Sequence, residues 1–440
     1  MFERLFKLSE AGTSVRTELI GGLTTFLTMA YIVAVNPSIL SATGMPASGV
    51  FAATCVAAGI GSILMGLLAN YPIALAPGMG LNAYFTFTVV NGMGVPWEVA
   101  LACVFISGVI FLILTVAGVR QLIVNTIPKP LFASVAAGIG LFIAFIGLKN
   151  AGLVIANPAT TVALGDLHAP TALLAITGLL VTAALMAWRV KAAILIGILV
   201  VTALAFGVGQ AHWTPSAASV ADMTATAFKM DFQGVLGLGG AGGVTVAIVE
   251  IIFVFLFVDL FDNVGTLVAV TKRAGLVAPD GTIPRLNRIL FADSIATMVG
   301  ATAGTSTTVS YIESASGVAA GARTGLAAIT TGVLFLITLF LAPLAGAIPA
   351  AATAPALILV GAMMMAPLKE IDWDDPVSSV PAFLTLITIP LTFSIANGLS
   401  IGLTAYAALK FLRRQITAKD IPLLVLAGLF VARFIYLAAA

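Results

Sequence analysis

The stretch VEIIFVFLFVDLFDNVGTLVAVT (residues 249–271) is apolar and long enough to cross a bilayer as a helix, yet it contains Glu250, Asp259 and Asp262. A carboxylate near the bilayer centre costs at least about 2.5–3.5 kcal/mol to insert, so such residues in spans generally have a function. Asp259 and Asp262 are three positions apart and share one face of a helix, whereas Glu250 lies on the side opposite Asp259. The stretch predicts a membrane helix with a pair of acids on one face.

The composition of the whole chain is that of an integral membrane protein. Of its 440 residues, 60% are hydrophobic and 9% charged, whereas about 25% are charged in soluble domains. The basic residues lie between apolar runs and form no patch for nucleic acid. Cys55 and Cys103 lie in apolar segments, and His168 and His212 lie in polar connections. The sequence therefore predicts no disulfide framework, no metal site, no catalytic residues and no cofactor.

Apolar runs of roughly 17–22 residues predict fourteen spans in two series of seven. The first series is 17–36, 49–69, 72–90, 97–118, 129–148, 170–188 and 191–209. The second series is 244–271, 287–303, 304–321, 324–346, 349–367, 377–395 and 397–413. Most of the 20 Lys and Arg residues lie inside when the N-terminus is cytoplasmic, which predicts that orientation.

A further hydrophobic stretch, 420–438, follows a basic linker and has room for a fifteenth crossing. Its polar face is thin, so we expect a membrane-embedded helix and not one lying at the interface. If the number of spans is to stay at fourteen, 377–395 and 397–413 would form a single irregular element around Asn397 and Gly398.

Two segments at corresponding places in the two series are poor membrane helices. YPIALAPGMGLNAYFTFTVV (71–90) has two Pro and two Gly in its first half, and GATAGTSTTVSYIESASGVAAGARTG (300–325) is rich in Gly, Ser and Thr around Glu313. Small residues also serve helix packing. However, paired interruptions are the best sequence indication of a transporter's binding site, especially beside an intramembrane acid. The stretches 126–150 and 347–370 are also similar, since both have Ile-Pro near the start, then small residues, and a Lys near the end. Because seven spans per half is an odd number, the second repeat must be inverted relative to the first.

Four segments form a set of long motifs that runs along nearly the whole chain. They are GLTTFLTMAYIVAVNPSIL (22–40), APGMGLNAYFTFTVV (76–90), FVDLFDNVGTL (257–267) and AGTSTTVSYIESASGVAAGARTGLAAI (303–329). These segments resemble the AzgA-like purine permeases, a branch of the nucleobase:cation symporter-2 family in the xanthine/uracil permease superfamily. The resemblance implies an all-α polytopic membrane protein with about fourteen spans in a 7+7 inverted repeat, whose third and tenth spans are broken by short extended stretches. It also implies a core domain (15–118 and 244–346), a gate domain (119–210 and 347–440) and an extracellular or periplasmic loop (211–243).

The resemblance also implies a substrate site, carried over position by position. Its residues are Asn82 on the third span, Asp259 and Asp262 on the eighth, and Glu313 on the tenth. The related uracil and xanthine branch has a Glu-His pair where this chain reads DNVGT (262–266), so a histidine proton relay is not expected here.

Three further residues are expected beside the substrate. Backbone groups near Thr308 and Ser310 could meet carbonyl or ring nitrogen atoms of a base, and Thr25 on the first span could close the pocket. Asp293 is interpreted as a structural acid that holds the ninth span to its neighbours.

Two close carboxylates in a low dielectric cannot both be cheaply ionised, so one of the pair can load and release a proton. The competing interpretation of the pair is a structural hydrogen bond to Ser or Thr on a neighbouring span. We favour proton coupling through Asp259, Asp262 and Glu313.

The sequence thus predicts a multi-pass transporter of the plasma (inner) membrane. It would import adenine, guanine or hypoxanthine by proton symport, with the core domain moving against the gate domain and a homodimer formed through the gate. A sodium-coupled nucleobase transporter stays open as an alternative. An anion transporter of the same architecture is less consistent with three acids and no basic residue at the site. A membrane enzyme is disfavoured because neither a metal-ligand set nor a nucleophile with His is visible.

Overall fold

The computed structural model describes residues 2–118, 129–211, 220–237, 244–278, 282–342, 347–417 and 420–439. Within these ranges, seven helices are long and apolar enough to cross a membrane. They are Val15–Thr43, Ala47–Ala69, Trp97–Val116, Pro130–Asn150, Pro170–Ala187, Ala350–Glu370 and Ile395–Leu412. Further spans are formed by shorter apolar helices, such as Ala193–Gly207 and Pro376–Thr392, and by two helices that carry charged residues, Val244–Ala274 and Leu286–Ala303. His212 and parts of the predicted 211–243 loop lie outside the described residues.

The first seven spans follow a short N-terminal helix, Phe2–Phe6. The first is Val15–Met29 and Ile32–Leu40, the second Ala47–Leu64 with a π-helical end at Met65–Ala69, and the fourth Trp97–Val116. The third consists of strand β1 (Leu75–Pro77), helix Met79–Ala83, π-helix Tyr84–Val90 and a last turn, Asn91–Met93. The fifth, sixth and seventh are Lys129–Asn150, Pro170–Ala187 and Ala193–Gly207, and strands β2 (Val154–Asn157) and β3 (Thr161–Leu164) form a hairpin after the fifth.

The second series begins after the short helices Val220–Met223 and Phe232–Gly237. The eighth and ninth spans are Val244–Ala274 and Leu286–Ala303, and the tenth consists of strand β4 (Thr308–Ser310) and helix Ser314–Ala319. The eleventh to fourteenth are Gly325–Thr338, Ala350–Met363, Pro376–Thr392 and Ile395–Leu412, and a last helix covers Ile421–Ala439. This order confirms the predicted helical architecture, including the broken third and tenth spans.

The single irregular element suggested around Asn397 and Gly398 is wrong. Two separate helices, the thirteenth and fourteenth spans, are divided by a sharp turn in which Phe393 adopts a left-handed φ of 50°. Ser394 caps the second helix, since its side chain accepts the backbone N–H of Asn397 at 3.2 Å. Gly398 lies against Thr385 and Ile389, so the two helices double back on each other as a hairpin.

The C-terminal hydrophobic stretch is a nineteen-residue helix, Ile421–Ala439, as expected for a membrane-embedded segment. It lies along the fourteenth span, and residues of both helices, including Ala407, Phe411, Leu424 and Gly428, line one shallow groove. The side of the membrane on which the chain ends stays a prediction.

Packing divides the chain into two compact units. One comprises Met1–Ala117 and Gly147–Ala356, and the other comprises Gly118–Ile146 and Leu357–Ala440. The first unit contains both broken spans and every candidate site residue. In the second unit, the side chain of Ile389 packs closely against Gly138 of the fifth span. The ring of Phe142 also contacts that of Phe393 edge to face. The predicted division into core and gate domains stays a prediction.

Small residues let the helices of the first unit approach closely. Gly332 of the eleventh span faces the second span, where an added Cβ would lie 2.5 Å from the carbonyl oxygen of Gly59 and 2.8 Å from Ile63 Cγ1. Because one of these atoms belongs to the backbone, the two helices would have to separate to admit a methyl group.

We therefore expect Gly332→Ala to destabilise the folded protein by about 1–3 kcal/mol, the usual range for overpacking. Gly428→Ala is the matched control, because an added Cβ there meets nothing within 4 Å and the residue is also helical. Thermal denaturation of both variants in mild detergent checks this. The packing argument is contradicted if the two variants melt at the same temperature as the wild type.

Candidate binding site

The two broken spans meet in a short antiparallel ladder, with Leu75 opposite Ser310, Ala76 opposite Val309 and Pro77 opposite Thr308. Two more backbone bonds extend it. The N–H of Gly78 donates to the oxygen of Thr307 at 2.9 Å, and the N–H of Tyr311 donates to that of Ala74 at 3.0 Å. All six ladder residues are buried. Non-helical backbone at membrane depth must find partners within the protein, and the ladder supplies them.

The local sequence explains why both spans break here. Pro77 has no N–H to continue a helix, and Gly78 after it begins the next helical segment with extended backbone. On the tenth span, Gly304 ends the preceding helix at a φ of 100°, a conformation that side chains other than hydrogen disfavour. Four of the next five residues, Thr305, Thr307, Thr308 and Val309, are β-branched, which suits a strand better than a helix.

Asp262 and Glu313 lie beside this ladder. An added Cβ on Gly78 would be 3.7 Å from Asp262 Oδ2, which places that carboxylate at the start of the helical part of the third span. Glu313 is half-buried, and its Oε1 accepts the hydroxyl of Tyr31 at 2.6 Å. The two carboxylates are close enough for their charges to interact. In the described part of the chain, no Lys or Arg forms an ion pair with either acid.

Asp259 belongs to a neighbouring cluster centred on Asn263. The amide nitrogen of Asn263 donates to Asp259 Oδ1 and to Asp293 Oδ2, both at 2.7 Å. Its carbonyl oxygen accepts the backbone N–H of Ser310 in β4 at 2.8 Å. One buried amide thus joins the eighth span, the ninth span and the ladder. Asp293 therefore contacts the eighth span through Asn263, as expected of an acid that holds the ninth span to its neighbours.

A layer of buried polar groups lies next to the ladder. Asn82 Oδ1 pairs with the hydroxyl of Ser306, while Asn82 Nδ2 has no protein partner among the described residues. The same holds for four hydroxyl groups, those of Thr86, Thr307, Thr308 and Ser310. Buried polar atoms are costly when they lack hydrogen bonds, so the amide of Asn82 suits a polar ligand. The Thr308 hydroxyl instead faces the ninth span, where it lies 2.7 Å from the position of an added Cβ on Gly300.

The predicted site residues fall into three groups by their position relative to the ladder. Asp262, Glu313 and Asn82 lie around the ladder, Thr308 and Ser310 lie within it, and Asp259 and Thr25 contact other parts of the protein. Because the N–H of Ser310 bonds to Asn263, that N–H group is not available to a ligand.

The other two predicted residues face protein neighbours. Asp259 bonds to Asn263, and Thr25 packs so tightly against the tenth span that a Cβ on Gly317 would collide with its hydroxyl. The assignment of all these residues to substrate stays a prediction.

Sequence reasoning missed Asn263, Tyr31 and Ser306. Asn263 follows Asp259 by four positions and therefore shares its helical face, which was an available signal. Tyr31 and Ser306 lie in the stretches 22–40 and 303–329 and are ordinary membrane residues by type. Their partners lie 282 and 224 positions away in sequence, so no local pattern indicates them.

Comparison with known sequences agrees with this arrangement. The sequence model of a permease family, which covers the xanthine and uracil permeases, matches residues 16–401. The chain belongs to this permease family. As a permease it is a multi-pass membrane transporter and not an enzyme, as predicted.

Similar relatives of this permease are described by their transport substrates. It is 44% identical over 439 residues to the adenine permease AdeP of Escherichia coli (strain K12), covering 100% of this chain and 97% of that one. It is 47% identical over 443 residues to the guanine/hypoxanthine permease PbuG of Bacillus subtilis (strain 168), covering 98% of each. The nucleobase transporter PlAzg2 of Paenibacillus larvae is 35% identical over 392 residues, covering 89% of this chain and 77% of that one. These matches confirm the resemblance to the AzgA-like permeases.

Solved structures confirm the fold of the permease. The transmembrane domain of the cyanobacterial bicarbonate transporter BicA has a TM-score of 0.63 and 15% identity, covering 88% of this chain and 97% of that one. The transporter SLC26A9 also has a TM-score of 0.63, with 11% identity, covering 91% of this chain and 66% of that one. At these identities the likeness supports the architecture alone.

Proposed function

We propose that this permease imports the purine bases adenine, guanine or hypoxanthine together with protons. The observation that carries the proposal is the ladder between the third and tenth spans, with Asp262, Glu313 and Asn82 around it. The relatives described as adenine and guanine/hypoxanthine permeases support the substrate class.

The chemistry of a purine fits these groups. A purine presents N–H donors next to ring-nitrogen and carbonyl acceptors on one flat molecule. Carboxylates accept from N–H groups, and an amide can donate to a ring nitrogen. Asp262 and Glu313 would accept from the base, while Asn82 Nδ2, which has no partner among the described residues, would donate to it.

Proton coupling follows from the charges. Asp262 and Glu313 repel each other when both are ionised, and no Lys or Arg in the described ranges pairs with them. A proton on one of them removes that repulsion and turns its carboxyl group into a donor as well as an acceptor. Asp259 lies one helical turn from Asp262 and is the third acid proposed to take part.

The alternatives are less well supported. BicA is described as a bicarbonate transporter, and anion transport would suit a site with a basic residue. The charged groups beside this ladder are acids, which repel anions. Sodium coupling differs from proton coupling only in the ion, and the uptake experiment separates the two.

The experiment is uptake of labelled adenine, guanine and hypoxanthine by cells that lack their own purine carriers. We expect expression of the chain to confer uptake that a proton ionophore abolishes and that replacement of sodium leaves unchanged. Unlabelled bases added in competition rank the three substrates. Uptake that needs sodium and resists the ionophore would overturn proton symport in favour of the sodium-coupled alternative.

The pH dependence is a second readout of the same assay. If one acid must be protonated before the base loads, apparent affinity falls as external pH rises, because the protonated fraction falls. The check is KM measured from mildly acidic to alkaline buffer at a fixed membrane potential. A KM that does not change over that range would contradict the protonation step.

Other parts of the predicted mechanism rest on the resemblance. They are alternating access by movement of the core domain against the gate domain, the homodimer through the gate, and the cytoplasmic N-terminus. Each stays a prediction.

A further inference from the structure

Tyr31 occupies an unusual place on the first span. It lies where the helix Val15–Met29 ends and Ile32–Leu40 begins, and its side chain is fully buried. Its hydroxyl donates to Glu313 Oε1 at 2.6 Å, a length typical of a strong bond to a carboxylate. The break in the first span therefore meets the break in the tenth through one hydrogen bond.

The first span does not need this bond to stay attached to the tenth. Near its start, Glu18 is fully buried and accepts the backbone N–H groups of Arg323 at 2.8 Å and Thr324 at 3.2 Å, in the connection between the tenth and eleventh spans. Further along, Gly317 in the helix of the tenth span lies so close to the first span that an added Cβ would be 2.6 Å from the carbonyl oxygen of Gly21. These contacts hold the two spans together independently of the Tyr31 hydroxyl.

The acceptor of Tyr31 is also unlike that of the other buried tyrosines that bond across the fold. The hydroxyl of Tyr311 donates to the carbonyl of Pro77 at 2.6 Å, and that of Tyr71 donates to the carbonyl of Pro284 at 2.8 Å. Both of these acceptors are backbone carbonyl groups. The acceptor of Tyr31 is a side-chain carboxylate beside the ladder, so a donor on one of its oxygens restricts where the other oxygen points.

We infer that Tyr31 is a positioning residue for substrate recognition, which orients the Glu313 carboxylate toward the N–H edge of the purine. The inference rests on the proposed function and adds a residue to it. A carboxylate held in one orientation loses less conformational freedom when the base binds than a freely rotating one. The Tyr31 hydroxyl therefore acts on affinity more than on turnover.

The test is purine uptake by Tyr31→Phe, which removes the hydroxyl and keeps the buried ring. We expect the KM for the preferred base to rise about tenfold, the usual effect of losing a hydrogen bond to a charged group. The maximal rate, corrected for the amount of protein in the membrane, should stay within about twofold. Tyr71→Phe is the matched control, because it removes a hydroxyl that makes a similar bond to the carbonyl of Pro284, in the connection before the ninth span, and not to an acid.

The outcomes separate the inference from the proposed function. A wild-type KM in Tyr31→Phe overturns the positioning role while purine transport stands. An equal rise in KM in Tyr71→Phe also overturns it, because the loss of affinity would then come from a general loss of stability and not from the bond to Glu313. If the wild-type chain takes up none of the three bases, the proposed function fails and the positioning role with it.

Discussion

Purine uptake is expected to fall at least about a hundredfold when Glu313 is replaced by Gln or Asp262 by Asn, while the protein still reaches the membrane. Both substitutions keep the size of the side chain and remove its charge. Each also replaces one acceptor oxygen with a donor NH₂ group, which would then face the N–H edge of the base. A buried donor opposite a donor is left unsatisfied, which costs more than the loss of a single favourable bond.

The measurement is initial uptake of labelled base, normalised to the amount of tagged protein in the membrane. Asp166→Asn is the control, because Asp166 is exposed in the connection after β3, outside the spans. Binding to purified protein distinguishes loss of recognition from loss of coupling. If both variants transport at close to the wild-type rate, the assignment of these acids to the substrate site is wrong.

Asp259→Asn is expected to impair uptake as well, but for a different reason. The carboxylate of Asp259 accepts the amide N–H of Asn263. An amide at position 259 has one oxygen in place of two. Either its NH₂ group faces the N–H of Asn263, or its oxygen faces Asn263 and no acceptor oxygen is left for other partners. We expect this variant to lose thermal stability together with activity, whereas Glu313→Gln should lose activity with little loss of stability. Thermal denaturation of the two purified variants shows which acid serves structure and which serves the substrate.

Much of the fold could be predicted from the sequence because its signals are local. Hydropathy marks a span through its own residues, and Pro77, Gly78 and Gly304 interrupt helices through their own backbone preferences. The thirteenth and fourteenth spans fit the same rule, because hydropathy marks them as two separate runs. The single irregular element follows only from keeping the number of spans at fourteen, and the turn at Phe393 and Ser394 contradicts it.

The site was less predictable because its bonds join distant parts of the chain. Helical periodicity places Asp259 and Asp262 on one face, but it does not show that one bonds to Asn263 while the other lies beside Gly78. The register of β1 with β4 pairs residues about 230 positions apart, and no local pattern sets it. The resemblance to a known family indicated the acids. The residues that hold them in place became visible only in three dimensions.

The largest effect on stability is expected at Asn263. Its side chain is fully buried and makes three hydrogen bonds, two to carboxylates and one to the ladder. Asn263→Ala removes the donor shared by Asp259 and Asp293 and leaves the N–H of Ser310 without its acceptor. Because buried charged groups lose their hydrogen bonds, we expect a loss of roughly 3–5 kcal/mol in the free energy of unfolding.

Asn263→Asp sharpens the test. The new carboxylate still accepts the N–H of Ser310 and has nearly the same shape, but it has no N–H to donate. Three acids would then share one buried cluster, and their repulsion can be relieved only by taking up protons. At neutral pH we therefore expect Asn263→Asp to be nearly as unstable as Asn263→Ala. In acid, Asn263→Asp should recover more of its stability than Asn263→Ala does.

Thermal denaturation in detergent at neutral and acidic pH measures both effects. Asn91→Ala is the control, because Asn91 is exposed and its amide makes one long bond, 3.4 Å, to the carbonyl of Ala42. If Asn263→Ala melts at the wild-type temperature, the hydrogen bonds of the amide to the two buried acids and to β4 do not contribute to stability as argued. If the cluster does hold the ladder in register, the same variants lose purine uptake, since Asp262, Glu313 and Asn82 surround the strands that Asn263 keeps in place.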